Sequence, residues 1–291
     1  MKASRAAALI LGLLAACAPA RAGRDALAVR DDAGVTVRLA RPAGRVVSLI
    51  PATTELLFAI GAGRTIVGRT HWCDYPAEAR SIPDLGDGLR PNLEAVAAVR
   101  PELVVLYRSA QNAEAAARLR ALGIPAVQFA VDRLADVPRV ARALGALTGR
   151  RRGADSLAAA FDTALAAATT PASPAAPALL LLAWDQPPMT IGAGSFLSEV
   201  VERAGARNLF GDLPAPSGTV SLETIATRDP DAILVATEGE PAFVRRPEWQ
   251  AIRAVRERRL VRVTGSSFSR PSPRAPEAIR ELRARLAEVL R

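Results

Sequence analysis

A single histidine, two cysteines and few aromatic residues close off several kinds of chemistry. With His71 as the only imidazole, a zinc or manganese site built from several histidines is excluded, and a Ser-His-Asp triad would have to use His71 itself. No GxSxG accompanies it, because Gly192-Ala193-Gly194-Ser195 lacks the second flanking glycine. Clustered carboxylates, which an exported hydrolase would use as general acid and base, are missing around the loops described below. His71 therefore remains a plain loop residue, a ligand-facing group such as a haem axial ligand with Tyr107 nearby, or a base.

Two cysteines cannot build a disulfide framework. Aromatic residues make up 4% of the chain, too few for a base-stacking platform. The formal charge of +9 is almost entirely arginine, spread singly along helices, and reads as a solvated basic surface. No nucleic-acid partner is expected.

What is present begins at the N-terminus. Lys2 and Arg5 precede an apolar stretch from Ala6 to Ala16, too short to span a membrane comfortably but of the length used in export signals. Leu14-Ala15-Ala16-Cys17 has the residue types of a lipobox, which would make Cys17 the lipidated first residue of an anchored protein. Ala20-Arg21-Ala22 is a competing cleavage site that would release the chain from the membrane. Residues 1–22 are taken as the targeting segment, and the mature protein is expected in the periplasm or at the outer face of a membrane. If Cys17 is lipidated, Cys73 has no partner; a Cys17–Cys73 bridge is the alternative.

The chain of 291 residues, half of them hydrophobic, suffices for two domains with proper cores. It also repeats itself. NLEAVAAVRPELVVL (92–106) and SLETIATRDPDAILV (221–235) align without a gap, with Leu93/Leu222, Glu94/Glu223, Ala97/Ala226 and Pro101/Pro230 identical. Each copy opens with an N-cap residue, puts a glutamate at the second helical position, breaks at proline and continues into an apolar strand. A second echo links Glu55 through Gly61-Ala62 to Gly68 with Leu197-Ser198-Glu199 through Gly205-Ala206 to Gly211, with one residue of slippage. Two similar α/β units follow, one over residues 23–134 and one over 171–291. Between them, residues 135–170 carry apolar residues at helical spacing and predict one long connecting helix, a strut of ~45 Å.

In order along the chain stand RVVSLIPATTELLFAIG, HWCDYP, NLEAVAAVRPELVV, a long helix, VSLETI and SFSRPSPR. This set resembles the substrate-binding proteins of ABC importers for cobalamin, haem and iron–siderophore complexes, and most of all the cobalamin binders. The resemblance implies two Rossmann-like α/β lobes joined by one helix, with a small-molecule ligand held in the cleft between lobes and no catalytic or metal-binding residues of its own. It implies a monomer that delivers its ligand to a permease dimer with ATPase subunits. Ligand contacts are implied for Pro51, Ala52, Thr53, Trp72, Tyr107, Phe268 and Arg270, and permease docking for Glu94 and Glu223. Physics agrees with the placement, since loops beyond the carboxyl ends of strands are where α/β sheets bind ligands. Cobalamin binders carry a tryptophan where Gly88 stands here and another near Ser217-Gly218. Trp184 and Met189 suit either the core or the cleft wall, and Trp249 suits packing on the second lobe.

Overall fold

Runs such as Leu103-Val104-Val105-Leu106 and Leu179-Leu180-Leu181-Leu182 lack polar alternation, which suits strands covered on both faces. In the computed structural model, which describes residues 27–171 and 173–291, both runs are central strands of largely parallel sheets. Cys17 and the targeting segment lie outside the described residues. Among the described residues no helix is long and apolar enough to cross a membrane.

An antiparallel hairpin, β1 (Leu27–Arg30) and β2 (Thr36–Leu39), opens the described chain. The first lobe follows with β3 (Val46–Ser48), α1 (Pro51–Ala59), β4 (Ile66–Arg69), α2 (Leu93–Ala98), β5 (Leu103–Tyr107), α3 (Ala110–Ala121), β6 (Ala126–Phe129) and α4 (Asp136–Thr148). After α5 (Arg151–Ala168) the second lobe runs β7 (Ala178–Asp185), β8 (Pro188–Ile191), α6 (Phe196–Arg203), β9 (Arg207–Asn208), β10 (Ser217–Thr219), α7 (Leu222–Arg228), β11 (Ala232–Val235), α8 (Arg253–Arg256), β12 (Leu260–Arg262) and α9 (Ala275–Val289).

The sheets carry the same plan. The first is ordered β4-β3-β5-β6, all parallel. In the second, β7 pairs in parallel with β9 and β11, and β11 with β12, so its parallel strands also run second, first, third, fourth. The antiparallel strands β8 and β10 are an addition. Duplication inferred from two short echoes therefore extends to the whole topology. The caps hold as well: Asn92 Oδ1 accepts from the amides of Glu94 and Ala95 at 3.1 Å each, and Ser221 Oγ from that of Thr224 at 3.0 Å.

The segment 135–170 differs from expectation. It is two helices, because Gly149 adopts a left-handed conformation (φ 69°) that caps α4, and Arg150 is not helical. Thr148 is the last residue of α4, which is the closing helix of the first lobe. Only α5 connects the lobes, and its eighteen residues span ~27 Å, not ~45 Å. The three glycines 145, 149 and 153 were the visible signal. Gly145 lets α4 and α5 approach, since a Cβ there would stand 2.5 Å from that of Ala154.

One apolar core runs through both lobes. It takes Leu56, Leu57, Val105 and Phe129 from the first, Val140 and Leu144 from α4, Phe161 from α5, and Leu181, Val200, Leu234 and Leu282 from the second. Alternate strand residues face the outer cores instead: Val104 and Leu106 in the first lobe, Leu180 and Leu182 in the second. Trp249 is fully buried in the second outer core with its ring 4.4 Å from that of Phe243, as its packing role requires.

Close contact where α5 meets the first lobe is testable. A Cβ on Gly153 would stand 2.4 Å from the carbonyl oxygen of Ile60. Helix propensity alone favours alanine by up to ~1 kcal/mol. Gly153→Ala should nevertheless destabilise the protein by ~1–3 kcal/mol through overpacking, read as a lower urea midpoint at unchanged slope. A raised midpoint would show that α5 does not press on Ile60.

Candidate functional site

In both sheets the chain reverses its direction of travel between the first and third strands, β3/β5 and β7/β11, and the crevice beyond their carboxyl ends is the natural ligand site. A cleft of ≈ 760 Å³ lies there, lined from the first lobe by Ile50, Pro51, Ala52, Trp72, Asp74, Tyr107, Val131 and Asp132, and from the second by Ser195, Phe196, Gly265, Ser266, Ser269, Arg270 and Pro271. A second cavity of ≈ 630 Å³ at the ends of β7 and β11 is mostly carbon-walled, by Leu181, Leu182, Ile191, Leu234, Phe243 and Phe268 among others, with Trp184 and Arg246 also lining it. The 265–271 loop contributes to both. These volumes fall in the range of small-molecule sites.

Trp72 projects from the 71–76 loop, is 63% exposed and tilts against the His71 ring at 4.7 Å. Trp184, at the end of β7, is 61% exposed, and its indole N–H donates to the carbonyl of Gln186 at 2.9 Å. Of the two positions left open for it, core or wall, Trp184 takes the wall. Each lobe thus presents one exposed indole at the carboxyl edge of its sheet. Tyr107 also faces the cleft, its hydroxyl donating to Asp132 at 2.8 Å. Burial first, then that hydrogen bond, push its phenol up to about 12.

The implied contacts divide. Pro51, Ala52, Trp72 and Tyr107 do line the cleft. Thr53 does not: its side chain is fully buried, donating to the Ile50 carbonyl at 2.9 Å and sharing a hydrogen bond of 2.9 Å with Ser48. Phe268 is 5% exposed and forms the floor of the second cavity as part of the shared core.

Arg270 lines the cleft but is not a spare cation. Its Nε donates to Glu55 at 2.8 Å, a second nitrogen to Asp74, and a third to the carbonyl of Trp72 at 3.4 Å. Arg274 binds the same Glu55 through contacts of 2.9 and 2.7 Å and covers the ring of Tyr75 at 3.9 Å. Burial acts to raise the Asp74 pKa, yet the hydrogen bond and charge of Arg270 outweigh it and hold the carboxyl below its usual range. Burial likewise acts to lower the Arg274 pKa, and Glu55 more than reverses it. Two carboxylates, Glu55 and Asp74, do meet at these loops, which the sequence did not indicate because they come together only in the fold, and both are neutralised by Arg270. Arg246, paired with Asp185 at 2.5 Å, lines the second cavity and carried no sequence signal.

Gly88 has no room for the tryptophan seen in cobalamin binders. A Cβ there would stand 2.1 Å from the Leu49 carbonyl oxygen, and buried Asn112 pins the loop by donating to the carbonyls of Gly88 and Tyr107 at 3.1 and 3.0 Å. His71 is exposed and lines neither cavity. Among the described residues no group of three or more His, Cys, Asp or Glu side chains could hold a metal. Cys73 is buried, its sulfur accepting from the Thr54 hydroxyl at 3.1 Å.

The model of the periplasmic binding protein family matches residues 46–266, most of the chain. The chain belongs to this family. It is 30% identical over 248 residues to the vitamin B12-binding protein of Salmonella typhimurium, covering 85% of this chain and 91% of that one. An uncharacterised ABC transporter substrate-binding lipoprotein of Bacillus subtilis is 28% identical over 266 residues, with 87% and 83% covered. The periplasmic haem-binding protein of Roseiflexus sp. RS-1 shares the fold, with a TM-score of 0.75 at 24% identity over 86% of this chain and 100% of that one. This periplasmic binding protein is therefore a substrate-binding protein and not an enzyme.

The Tyr107–Asp132 bond predicts a pH dependence. An unfolded tyrosine loses its proton near pH 10, whereas folded Tyr107 keeps its proton up to about 12. Over that window the native state holds the extra proton, so stability contributed by Tyr107 is complete below pH 10 and is lost as pH rises through 12. The stability difference between wild type and Tyr107→Phe, from urea unfolding, should narrow across this window. A constant gap would mean that Asp132 does not hold the phenol.

Proposed function

We propose that this protein is the receptor of an ABC importer that captures a corrinoid, cobalamin or a close relative, in the interlobe cleft and delivers it to the membrane permease and its ATPase subunits. The observation that carries the reading is the charge state of the walls. Exposed Trp72 and Trp184 offer aromatic faces beside an apolar cavity, while Arg270 of the cleft and Arg246 of the second cavity are already paired with Glu55, Asp74 and Asp185. A ligand bearing several carboxylates would need unpaired cations, since burying an unpaired charge is costly. A corrin ring rimmed by neutral amides does not. The 30% identity to a vitamin B12-binding protein supports the same choice.

Haem or a ferric siderophore is the second reading, favoured by the shared fold of the haem-binding protein from Roseiflexus. Against it, the Tyr107 hydroxyl is already committed to Asp132 by a 2.8 Å hydrogen bond, which an axial tyrosinate would have to give up. Calorimetric titration with cyanocobalamin, haemin and ferric siderophores decides between them. Cyanocobalamin should bind tightly, and Trp72→Ala or Trp184→Ala should weaken it about tenfold, the scale expected for losing one aromatic contact. Haemin binding alone would replace the corrinoid reading, and no binding to any of these compounds would overturn the ligand class.

Docking falls to Glu94 and Glu223. Both are exposed at the N-termini of equivalent helices, and neither has an ion-pair partner among the described residues. A helix that precedes a parallel strand runs antiparallel to it, so both N-termini lie on the side of the sheets where the cleft opens. A two-fold permease dimer would offer the same basic pocket to each. Glu94→Ala with Glu223→Ala should leave ligand affinity unchanged while lowering uptake and permease association in a salt-sensitive way; normal uptake would reduce both to helix-terminus stabilisers. Cys17 completes the scheme as a lipid anchor that keeps the receptor at the membrane, and Cys17→Ser should shift the protein out of the membrane fraction.

A further inference from the structure

Glu55 and Glu199 occupy the same place in the two copies of the fold. Each lies in the helix between the first and second parallel strands of its lobe, and each precedes a glycine by the same interval, 55 to 61 and 199 to 205. Both side chains leave their own lobe. Glu55 accepts from Arg270 at 2.8 Å and from Arg274 at 2.9 and 2.7 Å, two residues between β12 and α9 of the second lobe. Glu199 accepts from the Arg133 guanidinium and from the backbone amide of Leu134 at 2.9 Å, residues between β6 and α4 of the first lobe. Since β6 and β12 are the fourth strands of their sheets, the donors are equivalent as well as the acceptors.

The clamps bracket the cleft. On one side the Glu55 clamp joins the segments that supply Ala52, Trp72, Ser266 and Arg270 to its wall; on the other the Glu199 clamp joins those that supply Asp132 and Phe196. Helix α5 is a third connection, placed in equivalent fashion at both ends: Gly153 meets Ile60 beside Gly61, and Thr170 meets Gly205. Helix α5 and the shared apolar core already prevent wide opening of the lobes. Two further cross-links at separate points act on the small changes of angle that remain.

We propose that Glu55 and Glu199 are a reciprocal pair of positioning residues that set the width and angle of the ligand cleft, each by holding the loop after the fourth strand of the opposite lobe. Neither side chain needs to touch the ligand. The effect on affinity rests on the cleft being the ligand site, whereas the effect on geometry does not.

The two clamps differ in burial, and that difference makes the test practical. Glu55 is 1% exposed, so its removal strands two arginines and threatens folding. Arg133 is 46% exposed and Glu199 17%, so that clamp can be cut with little loss of stability. Spin labels on exposed positions of opposite lobes, Arg118→Cys and Arg245→Cys in a Cys17→Ser background, report the interlobe distance without ligand. Glu199→Ala and Arg133→Ala should each broaden and lengthen the distance distribution, and the double variant should add nothing to either. Glu55→Gln, where it folds, should move the same distance. If the aligned arrangement falls to about a tenth of the population, the apparent Kd for cyanocobalamin rises about tenfold. Unaltered distances in Glu199→Ala and Arg133→Ala overturn the proposal whatever the binding result. Altered distances in a protein that binds neither cyanocobalamin nor haemin would uphold the clamps and overturn the ligand reading.

Discussion

Both ends of α5 are seated in the same kind of notch, the glycine turn after the first helix of each lobe, and both faces of the junction are apolar. Separating the lobes would expose a core that runs from Leu56 and Val105 through Leu144 and Phe161 to Val200 and Leu282. At ~1.5–3 kcal/mol for each large side chain brought back into water, wide opening is not accessible to this molecule. Everything else in the structure works within that constraint. The cleft has a nearly fixed shape, its walls come from loops at strand ends, and recognition depends on side chains already in place.

Charge is handled consistently with such a rigid site. The carboxylates and guanidiniums brought to the cleft neutralise one another across and within the lobes, with Glu55, Asp74, Arg270 and Arg274 forming the largest group. A buried network of this kind is costly to dismantle and contributes less to net stability than to fixing one arrangement, since its desolvation offsets much of its attraction. What remains for a ligand is indole faces, carbon walls and a tethered phenol. Broad, flat molecules of modest charge suit that surface.

Duplication explains why few residues do so much. Equivalent carboxylates at 55 and 199 and equivalent glutamates at 94 and 223 arise from one ancestral unit, and a two-lobed receptor can present each twice. The lobes differ at the cavity walls: the first supplies Trp72 and Tyr107, while the second carries the added strands β8 and β10 and lines an apolar cavity with Trp184 and Phe268.

Local sequence determined most of the elements, because their signals are local. The N-caps at Asn92 and Ser221, the breaks at Pro101 and Pro230, and the apolar runs of β5, β7 and β11 specify the strand and helix order without reference to anything distant. The paired sheet plan follows from repeating that order. Pro51, Ala52, Trp72 and Tyr107 were implied as cleft residues by the resemblance of their motifs to a known family, and their place in strand-end loops agreed with it. Other outcomes depended on contacts between residues far apart in the chain. Glycine spacing could not say whether α4 and α5 were one helix, since only the packing of Gly145 against Ala154 fixes the corner. Thr53 and Arg270 have the chemistry of ligand contacts, yet Thr53 turns inward to Ser48, and Arg270 meets carboxylates on the opposite lobe. A side chain's type fixes what it can bind. Which partner it finds depends on distance and burial, and those exist only once the chain has folded.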